Sequence, residues 1–532
     1  MKSFAGFWEY VRFILARERI VSPLWIVSLA GSAALFASMY PGLFTSADAL
    51  TGMAQTMDSP AMVALMGPVY GLDSLSIAMS MAQQCLIWFA VAIVVMNIFF
   101  VNRYTRADEE LGRFEMLRAL PMGRLTNVVA TLLCALLLNV LISGLTMLGL
   151  LVVNLEGTTI MGSLTYSFAL GGIGFFFAAL TVLLAQLLPT SRGVLACSFA
   201  IFGAFYILRA WGDLQANVAS YFSPIGVGLK VAAFYDNNLW PLAVLFCAGI
   251  FLTILACAVY IKRDLGEGVI PAQPGRRNAS VLLKSPFGLA WRLSRNAVLA
   301  WAPTALVAGA VYGSVVGEIN NMVADNPLLQ QMVEGSSAGT SLVGSYIAML
   351  FSIMAILGAV PVVNAVLKIR SEEKRKRIEQ VYATATSRTT LFAGYILIAL
   401  LQSLLFMLLS TLGFYAAGAS TGLLVLSDLL QASLVYLPAL WLMLGFSVAL
   451  VGLLPRLTTL IWALFAYSFM IVYFGRMFTD QLPSLAFILS PFGNVPQLPV
   501  ETLSATPLVV LTVLSLVLVA VGLAAYRQRD LQ

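Results

Sequence analysis

Two stretches of mixed acid and base stand out from a chain that is otherwise almost wholly apolar. Arg106 to Arg124 reads RADEELGRFEMLRALPMGR, and Arg370 to Arg388, 264 positions later, reads RSEEKRKRIEQVYATATSR. Aligned without a gap they share the arginine at each end, Glu109 with Glu373, Arg113 with Arg377, Glu115 with Glu379 and Ala119 with Ala383, while Asp108 faces Glu372. Glu109/Arg113 and Glu373/Arg377 are spaced i,i+4 with the acid first, the favourable order for a helical ion pair worth roughly 0.2–0.5 kcal/mol. Phe114 and Leu117, matched by Ile378 and Val381, add two apolar positions one turn apart. Each loop is therefore expected to form a short helix with a small apolar edge framed by charges. The chemistry this suits is docking, not bond breaking: one surface offered twice to a partner protein. The alternative for either loop alone is a solvated basic segment that enforces topology.

Groups for other chemistry are missing. The chain holds no GxxxxGK[ST] and no Gly-Lys dipeptide, so it has no Walker-type phosphate cradle of its own. It has no histidine, and Cys85, Cys134, Cys197, Cys247 and Cys257 show no paired spacing, so neither a metal nor a disulfide is expected. No catalytic residue and no resident cofactor is assigned.

The elements that must position these loops are membrane helices. A composition of 60% hydrophobic and 10% charged residues with a mean hydropathy of +0.92 over 532 residues excludes a soluble globular chain. Hydropathy predicts about twelve spans, near 21–40, 76–101, 125–153, 162–188, 194–210, 239–260, 297–315, 341–367, 390–416, 429–454, 459–476 and 506–525. With the amino terminus inside, 27 of the 30 basic residues fall in cytoplasmic segments, which puts both termini in the cytoplasm. The net charge of +6 then reports topology and not nucleic-acid binding. The first apolar run, Val21 to Tyr40, is expected to be a retained helix and not a cleaved signal.

The repeat extends beyond the charged loops. Leu187-Leu188-Pro189 returns as Leu453-Leu454-Pro455, Ser223-Pro224-Ile225-Gly226 as Ser490-Pro491-Phe492-Gly493, and Arg263-Asp264-Leu265 as Arg529-Asp530-Leu531, at offsets of 266 or 267. The expected fold is an all-α integral membrane protein of two tandem six-helix halves, 1–265 and 286–532, joined by a cytoplasmic linker at 266–285. An even number of spans per half relates them by a pseudo-two-fold along the membrane normal. Phe4, Phe7, Trp8, Val11 and Leu15 share a helical face in Phe4 to Arg19, the pattern of an interfacial helix; Phe287 and Trp291 with Arg292 and Arg295 repeat it more weakly. Val218 to Tyr235 and Phe487 to Leu498 mix apolar residues with a Ser-Pro break, and are expected to be short helices dipping into the outer leaflet.

On the outer side, Tyr206-x-x-Arg209-x-x-x-Asp213 recurs as Tyr473-x-x-Arg476-x-x-x-Asp480. Arginine there opposes the topology rule, so something retains it. One expectation is an interfacial anchor that snorkels to water; the sharper one is a polar latch beside the exit, made by Arg209, Asp213, Arg476 and Asp480. The spans carry Gln83, Gln84, Asn97, Asn139, Gln186, Asn364 and Gln402 but no Asp or Glu away from their ends. Proton-coupled pumps generally need an ionisable group near the midplane, so a separate motor protein acting on the cytoplasmic loops is the better account of the energy source.

The Glu-Glu-x-Gly-Arg-x-Glu-x-Leu-x-Ala-x-Pro-x-x-Arg run of Glu109 to Arg124, the Ser-Pro-x-Gly segments, the Arg-Asp-Leu endings and SPFGLAWRL at 285–293 resemble the double-length permeases of the type-2 ABC exporter group, those labelled polyketide-antibiotic or tetronasin-type efflux permeases. The resemblance covers essentially the whole chain. It implies a bacterial cytoplasmic-membrane permease that exports a small amphiphilic, drug-like compound. The ATP would be hydrolysed by separate cytoplasmic ABC ATPase subunits, two per chain. It also implies that 106–124 and 370–388 are coupling helices, with Glu109, Arg113, Phe114, Glu115, Leu117, Glu373, Arg377, Ile378, Glu379 and Val381 as the coupling residues, and that 1–20 and 286–296 are interfacial helices. The second loop departs from the pattern, with Lys376 at the place of Gly112 and Ala385 at that of Pro121. The alternative from another class is a twelve-helix secondary multidrug facilitator, whose loop signature Asp108-x-x-x-Gly112-Arg113 mimics.

Overall fold

In hydrocarbon no water satisfies backbone N–H and C=O groups, so a long apolar run must close its hydrogen bonds within itself. The computed structural model describes residues 4–43, 57–58, 60–71, 75–119, 121–264, 266–270, 278–314, 316, 342–374, 376–384, 386–422, 424–474 and 484–529, and every regular element among them is a helix. The chain divides into two compact units, Met1–Gly275 and Arg276–Gln532.

The first unit runs α1 (Phe7–Arg17), α2 (Val21–Met39), α3 (Pro60–Met66), α4 (Ile77–Asn102), α5 (Arg113–Arg118), α6 (Thr126–Val153), α7 (Ile160–Leu187), α8 (Ser191–Leu214), α9 (Pro224–Leu229) and α10 (Trp240–Lys262). The second runs α11 (Pro286–Ser314), α12 (Leu342–Lys374), α13 (Ile378–Tyr382), α14 (Arg388–Gly418), α15 (Leu426–Leu434), α16 (Leu437–Leu453), α17 (Leu460–Phe474), α18 (Ser484–Leu489) and α19 (Ala505–Gln528). Among the described residues eleven helices are long and apolar enough to cross a bilayer, with α15 and α16 counting as one. The span expected at 459–476 appears as the 15-residue α17, and residues 475–483 lie outside the described set.

In the first unit α7 is the central helix, sheathed by α4, α6, α8 and α10. Its start is set by Thr159, whose hydroxyl accepts from the Gly162 amide at 3.0 Å. Beside it Asn97 and Asn139, both fully buried, exchange reciprocal amide bonds of 3.0 and 2.8 Å between α4 and α6. In the second unit one pair of helices packs especially closely. A Cβ on Gly309 would land on the Ser410 carbonyl oxygen, one on Gly313 on that of Phe414, and one on Gly413 on that of Leu306. The α11–α14 pair therefore touches backbone to backbone, the approach that small residues permit in membrane helices.

Two expectations about the helices that lead into the first span of each unit are corrected. In α1 the buried face is Tyr10, Val11 and Ile14, packed on α6, while Phe4, Trp8 and Leu15 stay exposed, so the apolar face is split between protein and surroundings. The segment 286–296 is not a separate interfacial helix: it continues without a break into the following span as α11, 29 residues long, because no left-handed residue interrupts it and the next glycine after Gly288 is Gly309, in the seam with α14. Short helices do form at the two Ser-Pro breaks. Val218–Phe222 is a 3-10 turn followed by α9, whose six residues are all buried, and α18 is followed by a 3-10 turn at Pro491–Asn494.

Candidate functional site

Each charged loop is a broken helix. After α4 the chain continues through a π-helical turn, Arg103–Ala107, and one α-turn, Asp108–Glu110, then halts at Gly112, whose φ of 70° suits glycine. In the second loop α12 runs to Lys374 and Lys376 takes the same left-handed conformation at φ 56° before α13. The departure noted in sequence at this position leaves the backbone path the same. The left-handed residue redirects the chain, and the expected i,i+4 pairs are not formed. Arg113 instead donates to Asp108 Oδ1 at 2.7 Å, and Arg377 lies 3.7 Å from Glu372.

What the two glutamates do is hold a clasp that recurs in both units. Glu109 Oε2 accepts from Arg263 at 2.6 Å and from Arg106 at 3.2 Å; Glu373 accepts from Arg529 at 2.5 and 2.6 Å and from Arg370 at 3.1 Å. The arginine that ends each loop closes the ring through backbone, Arg124 onto the Arg263 carbonyl at 3.1 Å and Arg388 onto that of Arg529 at 2.7 Å. Arg263 and Arg529 each lie over the tyrosine one turn earlier, Tyr260 and Tyr526, at 5.3 and 4.9 Å from the ring centroid. Both glutamate side chains are under a tenth exposed. A carboxylate so buried must be paired and hydrogen-bonded, and guanidinium does both with a planar fork.

Further ties differ. In the first unit Arg106 also donates to the carbonyls of Pro189 at 2.6 Å, Gly266 at 2.8 Å and Glu267 at 3.2 Å, and the Gly266 amide donates to Glu109 Oε1 at 2.9 Å. Helix α1 joins through Arg17 to Asp108 at 2.6 Å, and Glu18 accepts from Arg103 at 2.8 Å and the Tyr104 hydroxyl at 2.7 Å. In the second unit Glu372, the counterpart of Asp108, sits 3.8 Å from Lys368 and 3.7 Å from Arg377. Tyr382 on α13 hydrogen-bonds Tyr526 at 2.8 Å, and burial pushes its phenol above the usual value, so it stays neutral.

The ten coupling candidates therefore split. Phe114, Glu373 and Ile378 are buried and the Glu109 side chain is 8% exposed: the acids belong to the clasp, and Phe114 and Ile378 face the protein from the short helices. Arg113, Glu115, Arg377 and Glu379 are exposed, and Val381 is half-buried. The Leu117 side chain lies outside the described set. Arg263 and Arg529 are functional residues that the loop sequences do not reveal; their signal is the Arg-Asp-Leu run that recurs at the end of the last helix of each half.

At the other end of the first unit, Arg209 is fully buried and does not snorkel. It lies 3.5 Å from Asp213, donates to the carbonyls of Val63 at 3.2 Å and Leu65 at 3.1 Å, and lies 4.6 Å from the Tyr206 ring centroid. Tyr206 donates to the same Leu65 carbonyl at 2.6 Å. Arg209 and Tyr206 thus grip the end of α3, with Asp213 beside the guanidinium. Arg476 and Asp480 lie outside the described residues.

Residues 283–527 match the family described as the C-terminal domain of the multidrug efflux system permease Rv1217c. Over 540 aligned residues the chain is 32% identical to the multidrug efflux system permease protein Rv1217c of Mycobacterium tuberculosis (strain ATCC 25618 / H37Rv), covering 99% of this chain and 96% of the relative. The likeness is to a multidrug permease and not to the tetronasin type in particular. With a match across nearly all of both chains, and apolar helices that make it a multi-pass membrane protein, this chain belongs to the family of multidrug efflux system permeases.

Proposed function

We propose that the chain is the membrane-spanning subunit of an ABC exporter in the bacterial cytoplasmic membrane, with both termini in the cytoplasm, and that it moves an amphiphilic drug-like compound outward using ATP hydrolysed by separate subunits. The observation that carries the reading is the repeated clasp. Just before each short helix, α5 and α13, an acid with a buried side chain is bonded to the arginine that caps the last helix of its own half, and beyond it an exposed acid and base face outward. A force applied to such a helix passes through charge-assisted hydrogen bonds into α10 or α19, which a solvated topogenic loop has no reason to provide. One loop per half supports two ATPase subunits per chain.

The test is Glu115→Lys together with Glu379→Lys. Both side chains are exposed and take no part in the ion pairs of the clasp, so insertion and thermal stability should stay as they are, while co-purification with the ATPase subunit and drug export are lost. Undiminished export by the double variant, or ATP hydrolysis by the purified chain alone, would remove the reading. At the outer end we propose that Arg209 and Asp213, and by repetition Arg476 and Asp480, form a polar latch that opens for cargo release. Arg209→Leu should change substrate-stimulated ATP hydrolysis at normal expression; unchanged stimulation would return the pair to a structural role.

A further inference from the structure

A cleft of about 400 Å³ opens in the second unit among α11, α12 and α14, within the size range of small-molecule sites. Its wall includes Trp301 and Ser294 on α11, Pro361 and Lys368 on α12, and Gln402 on α14. Two of these hold buried polar atoms with no hydrogen-bond partner: Nε2 of Gln402, a side chain 3% exposed, and Oγ of Ser294, 5% exposed. Buried donors are ordinarily paired because leaving one unpaired costs its full desolvation. Two of them in the wall of one cleft point to a ligand that supplies the acceptor. Gln402 follows Arg388, at the cytoplasmic start of α14, by 14 residues, about 21 Å along the helix, whereas Lys368 and Ser371 lie towards the charged end of α12. The cleft thus leads from the charged loop towards the middle of the span. Lys368 is compensated by Glu372 at 3.8 Å, which leaves no free charge for an ionic ligand. At the loop offset of 264, Gln402 and Ser294 fall on Leu138 and Ala30, so neither orphaned group has a polar mate among the described residues of the first unit, where Asn97 and Asn139 satisfy each other.

We propose that this cleft binds an uncharged amphiphile with an aromatic ring against Trp301 and a carbonyl-type acceptor within reach of Gln402 Nε2 and the Ser294 hydroxyl. Calling that ligand cargo rests on the export reading above; binding itself does not. Benzophenone is a suitable probe, since its ketone both accepts a hydrogen bond and, on irradiation, inserts into nearby C–H bonds. With the full chain in nanodiscs of phosphatidylethanolamine and phosphatidylglycerol, saturable adducts should concentrate on peptides containing Trp301 and Pro361. In Gln402→Leu they should fall about three- to ten-fold, the factor one neutral hydrogen bond carries, while adducts on the exposed face of α19 stay constant. Because the Nε2 donor is unpaired in the empty cleft, Gln402→Leu should also leave thermal stability equal or raised. Adducts distributed as on lipid-facing helices and indifferent to Gln402→Leu would mean that the cleft holds lipid, and overturn the proposal. Lowered stability of Gln402→Leu would assign the amide to packing, with the same result. Adducts in the cleft of a chain whose deletion changes no drug's toxicity would keep the site and remove the export reading.

Discussion

The two charged loops are repeat mates that agree in one layer and differ in the next. Both place a buried glutamate between an arginine of the loop and an arginine from the end of the last helix, although the loops between diverge from Gly112 to Lys376 and from Pro121 to Ala385. The surrounding ties are another matter. Asp108 accepts two short bonds, from Arg17 and Arg113, while Glu372 has its cations at 3.7 and 3.8 Å. The first loop is thus fastened to the amino-terminal helix as well as to α10; the clasp of the second depends on Arg529, which donates two of the three hydrogen bonds to Glu373. The join to the last helix is the shared part, and the fastening of α1 is specific to the first half.

The largest expected effect tests the shared part. Arg529→Ala removes two of the three donors on Glu373 and should destabilise the protein by about 3–5 kcal/mol in detergent unfolding, the range for stranding one partner of a buried ion pair. Arg263→Ala should cost less, about 2–3 kcal/mol, because Arg106 and the Gly266 amide remain on Glu109. Equal losses would mean that the backbone ties around Glu109 contribute nothing.

An intermediate effect should appear at the acids that precede the clasp. Asp108→Asn weakens two charge-assisted bonds and should cost roughly 1.5–3 kcal/mol, with faster proteolysis at α1. Glu372→Gln should cost less than Asp108→Asn, about 1 kcal/mol or below, because its cations stand at 3.7 and 3.8 Å. A large loss at Glu372 would erase the distinction between the halves.

The smallest effect concerns the left-handed turn itself. Lys376→Gly relieves a side chain from φ 56° and should stabilise by about 0.5–1 kcal/mol. The reverse exchange, Gly112→Lys, should cost a similar amount and no more, since nothing lies within 4 Å of the added Cβ.

The helices and the repeat were legible in sequence because hydropathy over 20 residues is a strong signal and because the repeat kept charge sign as well as charge. The partner of Glu109 was not. Arg113 satisfied the helical spacing rule, and that rule fails wherever one residue between the pair takes a left-handed conformation, as Gly112 does. The true partner, Arg263, stands 154 positions away in the chain, a separation no periodicity reaches. The Arg209–Asp213 pairing was legible from its i,i+4 spacing, whereas its full burial depended on α3, a short helix with no strong pattern of its own. The break before α11, expected from the weak likeness of 286–296 to the α1 segment, is absent: the helix runs on from Pro286 into the span.

The glycine seam between α11 and α14 has a genetic consequence. Every amino acid reachable from a glycine codon by one base change carries a Cβ, and at Gly309, Gly313 and Gly413 that atom would strike a carbonyl of the facing helix. None of the three codons has a silent replacement beyond its own synonyms. Variation in these two helices is therefore confined to the faces away from the seam, with the seam itself inherited as a fixed axle.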